Sequence, residues 1–206
     1  MQNHQSPLVN PRDITPPPAN VPPARIGLQA GDTAPDFSLP ASLAGRPFDY
    51  ALKDALRAGA VVIYFYPSAF TSGCNTQAHG FARDLDQFTA AGASVIGISL
   101  DSIERLNAFS ADPQYCAGKI PVASDAHGQV ARAFGLPVEA MPPGKTDTRG
   151  EPIDHDKVPR TTFVVGADGK VAATLAGLSA AEHVEHALAW VQHLSAERAA
   201  RPSSGR

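Results

Sequence analysis

The stretch from Val61 to Gln77, VVIYFYPSAFTSGCNTQ, constrains this chain more than any other. Its first six residues, Val61 to Tyr66, are an unbroken run of β-branched and aromatic side chains. A run with no polar alternation predicts a strand buried on both faces. Pro67 ends it, because proline has no N–H to offer a sheet ladder. Loop residues Ser68 to Gly73 follow, and then Cys74. From there Phe81, Leu85 and Phe88 recur at the spacing of one helix face. Cys74 is therefore expected in or near the first turn of a helix. Unpaired amides and the positive end of the helix dipole favour an anion there. The anion a cysteine can supply is the thiolate, its nucleophilic form.

Strands and helices alternate along the rest of the chain. Phe48 to Leu56 predict a short strand and a helical turn. Ser94 to Leu100 read as a second buried strand, with Asp101-Ser102 as the cap of a helix carrying Ile103, Leu106 and Phe109 and ending at Asp112-Pro113. Ile120 to Ala123 predict a short strand, and Gln129 to Phe134 a short helix closed by Gly135. Thr161 to Gly166 and Val171 to Leu175 flank Asp168-Gly169 as a hairpin. Ser179 caps a last helix with Val184, Leu188 and Val191 on one face. This order argues for an α/β fold with a mixed central sheet flanked by helices.

The spacing Pro67-x-x-x-Thr71-x-x-Cys74 resembles the peroxidatic motif of the peroxiredoxins. The surrounding YPSAFTSGCNTQAHGFARD is most similar to their peroxiredoxin Q, or bacterioferritin-comigratory, branch. Gly31 to Phe37 resemble the G-x-x-A-P-x-F opening of the same proteins, and the likeness spans roughly Gln29 to Leu194. It implies a thioredoxin-like fold and a thiol-dependent peroxidase that reduces hydrogen peroxide and organic hydroperoxides. Cys74 would pass through a sulfenic acid and be recycled by thioredoxin or a similar thiol, with no cofactor. Thr71, one loop turn from Cys74, would orient thiolate and peroxide, since a hydroxyl both donates and accepts. Pro67 would form an apolar wall. Arg160, before the hairpin strand, matches the family's arginine and would stabilise the charge on the sulfur and the departing oxygen. Gln77 matches a frequent polar position and is read as packing or local hydrogen bonding.

Many members of this branch carry a resolving cysteine five residues after the peroxidatic one, where this chain has His79. The resemblance leaves Cys116, just past the next helix, as the candidate, in a segment whose Pro113 and Gly118 suggest mobility. An unreacted, packed Cys116 stays equally open. A thioredoxin-like dithiol site is excluded, because Thr71 stands where the first cysteine of C-x-x-C would be. The other function considered is a redox sensor without turnover, or a holdase or interaction module on the same fold.

With a net charge of −3 over 206 residues, and no basic patch, nucleic acid is not an expected partner. No apolar run approaches the ~18 residues of a membrane span. Two cysteines and no signal-like N-terminus lead us to expect a cytoplasmic chain, monomeric or homodimeric, whose thiols do chemistry. His183, His186, Trp190 and His193 share one side of the last helix and are read as a solvated face rather than a metal site. In domain terms the expectation is a proline-rich disordered arm over 1–28, a peroxiredoxin domain over 29–197 and a disordered tail over 198–206. Within that domain, 137–159 is read as a long, polar, solvated loop.

Overall fold

The computed structural model describes residues 26–200. In chain order the elements are β1 (Ser38–Leu43), β2 (Arg46–Ala51), α1 (Leu52–Ala58), β3 (Ala60–Phe65), α2 (Ser72–Ala90) and β4 (Ala93–Ser99). Then come α3 (Ile103–Ala111), β5 (Val122–Ser124), α4 (Gln129–Ala133), β6 (Thr161–Val165), β7 (Val171–Ala176) and α5 (Ala180–Ala200). One seven-stranded sheet forms in the order β2-β1-β5-β4-β3-β6-β7. The β3–β4 and β4–β5 pairings are parallel and the others antiparallel, so the sheet is mixed.

The apolar run explains the layering. Successive strand side chains point to opposite faces. Val61, Ile63 and Phe65 therefore enter one apolar layer, which Leu52 of α1 and Phe134 after α4 help close. Val62, Tyr64 and Tyr66 enter the other, with Phe81 of α2, Phe109 of α3 and Val184 of α5. Full burial of such side chains contributes roughly 1.5–3 kcal/mol each, so a strand apolar on both faces belongs inside the sheet. Gly97 faces Tyr64 across the β3–β4 ladder. A Cβ at that glycine would stand 2.5 Å from the Tyr64 ring, so the small residue makes the room.

Several boundaries differ from expectation. The strand read at Ile120 begins at Val122, because Pro121 has no N–H to pair. Ser179 caps α5 as expected. Its hydroxyl accepts from the Glu182 amide, and Glu182 in turn accepts from the Ser179 amide. The proline-rich arm lies outside the described residues except for Ile26, Gly27 and Leu28. These three sit on the domain, with the Leu28 amide bonded to the Phe134 carbonyl at 3.0 Å. The tail read from Arg198 also lies outside from residue 201, but Arg198 to Ala200 continue α5. The Arg198 guanidinium lies over Gly92, so this last turn passes beside the start of β4.

The stripe of His183, His186, Trp190 and His193 is not a solvated face. Because α5 contacts α2, β6 and β7 together, its buried arc is wide. His183 is 0% exposed and its Nδ1 lies 2.9 Å from the Thr162 hydroxyl. Burial, with smaller contributions from Arg160 and His186, pushes its pKa down to about 4, so the ring is neutral. Trp190 packs against the core. The 137–159 segment is mostly exposed, in keeping with a polar loop, but it is ordered and turns two residues inward. It doubles back on itself through Glu139–Lys157 and Thr146–Pro152 bridges and buries Asp147 and Val158.

Candidate active site

The end of β3 delivers the site. Tyr66 is still hydrogen-bonded to the Ile98 carbonyl, and Pro67 then turns the chain out of the sheet. The helix begins two residues earlier than Cys74, at Ser72, with Thr71 in extended backbone as its N-cap. The Asn75 amide bonds to the Thr71 carbonyl at 2.8 Å, which closes the first turn. The amides of Ser72, Gly73 and Cys74 then have no carbonyl four residues back within the helix. Cys74 sits at the third helical position and is 2% exposed.

Arg160 reaches this turn from the residue before β6. Its Nη2 lies 3.4 Å from Cys74 Sγ, and its Nη1 donates to Gln77 Oε1. Gln77 is one turn on from Cys74, fully buried, and holds one arm of the guanidinium fork while the other faces sulfur. It is thus more than a packing residue, and the signal was present in the sequence. Positions three apart share a helix face, so a polar residue at 77 lies over the same spot as the thiol. Gly73 leaves room for the same approach, since a Cβ there would stand 2.9 Å from Arg160 Nη2 and displace the guanidinium.

Thr71 does not cap the helix with its side chain. Its hydroxyl donates to the Ser68 carbonyl at 2.8 Å. With the proton so committed, its oxygen keeps lone pairs to offer. Pro67 is half-buried where the strand ends.

Cys116 is 0% exposed and belongs to the same apolar cluster as Cys74. Burial, and more weakly the Asp112 carboxylate, raise its thiol pKa far above the usual range. Tyr64 lies within electrostatic reach of both cysteines, and burial above all raises its own pKa. The Cys116 segment is better pinned than its proline and glycine suggested. The Ala117 and Gly118 amides bond to the Asp112 and Ser110 carbonyls, and the Gln114 carbonyl meets the His79 ring at 3.2 Å. Tyr115 stacks on Phe109.

The loop before Cys74 rests on residues that the sequence did not single out as part of the site. Asp101, read only as part of a helix cap, is 0% exposed and turned inward; Ser102 alone caps α3. Asp101 accepts from the Ser68 hydroxyl at 2.9 Å and from the Ala69 amide at 2.7 Å.

Comparison with known proteins gives a consistent result. The AhpC/TSA family profile matches residues 30–174. Peroxiredoxin Bcp of Escherichia coli is 32% identical over 165 residues, covering 80% of this chain and 96% of its own. The crystal structure of peroxidoxin BcpB from Mycobacterium tuberculosis superposes with a TM-score of 0.68 at 32% identity, covering 85% of this chain and 99% of that one. A structure of the Xanthomonas campestris bacterioferritin comigratory protein, studied for alkyl peroxide reduction, gives 0.60 at 28% identity over 76% and 92%.

Proposed function

The chain belongs to the AhpC/TSA family, in its peroxiredoxin Q branch, and is a thiol-dependent peroxidase; on that premise we propose that Cys74 is its peroxidatic residue. The observation that carries this assignment is the Arg160 guanidinium 3.4 Å from the Cys74 sulfur at the first turn of α2. The thiolate attacks the hydroxyl-bearing oxygen of a hydroperoxide. An S–O bond forms as the O–O bond breaks, and the electron pair leaves on the other oxygen, which takes a proton from water. Sulfur is left as a sulfenic acid. Arg160 and the free amides at the helix start face the charge that passes from sulfur to the departing oxygen. The Thr71 oxygen accepts from the peroxide O–H, and Pro67 limits water at the mouth of the site.

Organic hydroperoxides are substrates alongside hydrogen peroxide, as the Xanthomonas protein's alkyl peroxide reduction suggests. Cys116 resolves the sulfenic acid: its thiolate attacks the oxidised sulfur, a disulfide forms, and hydroxide leaves. Thioredoxin, or a similar dithiol, then reduces the disulfide. Cys116 is buried and protonated as it stands, so its segment and the first turn of α2 must both open. A disulfide needs Cα atoms about 4.4–6.8 Å apart. No described helix is long and apolar enough to cross a membrane, and we place the protein in the cytoplasm as a monomer or homodimer.

The test is non-reducing peptide mass spectrometry after one equivalent of hydrogen peroxide. A Cys74–Cys116 disulfide is the expected product. Sulfenic or sulfinic Cys74 beside a free Cys116 would replace it with a one-cysteine mechanism. An unmodified Cys74 would overturn the assignment. Sustained peroxide consumption with a dithiol reductant separates the enzyme from a sensor that oxidises once.

A further inference from the structure

Phe70, four residues before Cys74, is held in a conformation that it would not choose. Its φ is +61° and its side chain is 1% exposed. Bulky residues rarely occupy this left-handed region, and they persist there only when their surroundings over-determine them. The surroundings come from the 137–159 segment. The Phe70 carbonyl accepts two hydrogen bonds from Thr148, from its amide at 2.9 Å and its hydroxyl at 2.7 Å. The Arg149 guanidinium lies over the Phe70 ring, 3.3 Å from its centroid, and Phe109 meets the ring edge-on at 5.0 Å.

Asp147 builds this contact. It is 6% exposed, and one of its oxygens accepts from the Arg149 and Glu151 amides, which shapes the turn. The other pairs with Arg149 at 2.8 Å and with Arg105 at 2.7 Å. Arg105 in turn donates to the Ala69 carbonyl at 3.1 Å and lies 2.9 Å from Asp101. The Thr148 hydroxyl also faces Asn75, the residue after Cys74, at 3.5 Å. The loop is thus gripped along its length by groups far away in sequence. Asp101 takes Ser68 and the Ala69 amide, Arg105 takes the Ala69 carbonyl, and Thr148 takes Phe70.

We propose that Thr146 to Pro152 form a clasp in which Asp147, Thr148 and Arg149 are positioning residues for Cys74. The inference rests on the reading of Cys74 as peroxidatic. Closed, the clasp fixes the strained loop so that sulfur, Arg160 and the helix amides face one point. Open, it lets Phe70 leave the left-handed region and the first turn of α2 unwind, as meeting Cys116 or an external thiol requires. The clasp therefore trades one half-reaction against the other. Weakening it slows oxidation of Cys74 and speeds resolution of its sulfenic acid.

The experiment uses the full-length chain, Thr148→Val and Thr148→Ser, with hydrogen peroxide as the probe. Thr148→Val removes one donor to Phe70 and keeps the backbone bond. Stopped-flow oxidation should slow by about three- to tenfold, the effect of losing one part-buried hydrogen bond. The later step that forms the disulfide should accelerate by a similar factor. Thr148→Ser, which keeps the hydroxyl, should stay near the intact chain in both. Amide exchange at Phe70 to Cys74 should rise in Thr148→Val alone. Both steps slowing together, with unchanged exchange, would show ordinary structural damage and overturn the clasp. An intact chain whose Cys74 ignores peroxide would instead overturn the peroxidatic reading, and the exchange measurement still decides the clasp.

Discussion

Cys74 and Cys116 share one apolar cluster and are almost equally hidden, at 2% and 0% exposure. What surrounds each sulfur differs. Cys74 stands at the start of a nineteen-residue helix, with a guanidinium 3.4 Å away and unpaired amides beside it. Cys116 lies in a turn after α3, where the first influence on it is desolvation and the next is a carboxylate, both of which hold the proton on. Burial alone makes a cysteine inert, because a thiolate in an apolar site has lost its water and gained nothing. Burial with a cation and a helix end supplies the missing solvation and keeps bulk water out. One core therefore holds two thiols assigned opposite roles.

The most direct way to break this contrast is to remove each sulfur in turn. Cys74→Ser should abolish peroxide consumption, since a serine at neutral pH supplies almost no alkoxide. Cys116→Ser should leave the first oxidation unchanged and stop only the disulfide. Coupled peroxide assays and single-turnover kinetics read the two outcomes, and undiminished turnover in Cys74→Ser would reverse the roles of the two thiols.

A smaller intervention tests what makes the surroundings differ. Arg160→Ala should leave the fold intact and slow Cys74 oxidation by roughly thirty- to thousand-fold, the worth of ~2–4 kcal/mol of charge stabilisation. Arg160→Lys should recover only part of the rate, because a point charge cannot hold Gln77 and face sulfur with one planar fork. Second-order rate constants from stopped-flow decide it. A rate unchanged in Arg160→Ala would leave the helix start as the only distinction between the two cysteines.

How much of this was legible in the sequence depends on how far apart the interacting residues are. The buried strand, the helix after Cys74, the hairpin and the last helix all follow from periodicities that a short window contains. Gln77 sits close enough to Cys74 to be found by helix spacing. The grip on the catalytic loop could not be found that way. Asp147 meets Arg105 across 42 residues and His155 meets Asp101 across 54, through single polar contacts that leave no period in the chain. A segment ordered by such contacts reads as featureless, so 137–159 looked solvated throughout. His183 was misread for a related reason. The width of a helix's buried arc depends on how many neighbours it packs against, and α5 has a helix as well as a sheet edge.

The finest test of the contrast uses pH, because the Cys74 loop hangs on a largely buried histidine, His155, whereas the Cys116 turn meets one only where the Gln114 carbonyl faces the exposed His79 ring. His155 Nε2 lies 2.8 Å from Asp101 and 3.3 Å from the Ser68 hydroxyl, while Nδ1 lies 2.6 Å from the Asp156 carbonyl. A carboxylate and a carbonyl only accept, so the ring meets both best with both nitrogens protonated. Burial opposes that charge and Arg105 weakly does too, but the Asp101 carboxylate outweighs them and raises the His155 pKa. A raised pKa in the folded state means stabilisation that is complete below the unfolded value of about 6.5 and lost as pH climbs through the folded one. His155→Gln keeps one donor and no charge. It should cost of order 1–2 kcal/mol below pH 6, as for a hydrogen bond to a charged group, and much less once the imidazole is neutral. Comparing chain with variant cancels His183, whose low pKa destabilises the fold in the opposite direction as pH falls from about 6.5 towards 4. Chemical denaturation across pH 5.5 to 9 gives the difference curve, and amide exchange shows where it acts. Exchange at Ala69 to Thr71, corrected for its intrinsic pH dependence, should rise with pH in the intact chain and be flat in His155→Gln. The Ala117 and Gly118 amides beside Cys116, bonded only to backbone carbonyls, should stay flat in both. A stability difference independent of pH would show that His155 packs against Asp101 without carrying charge there.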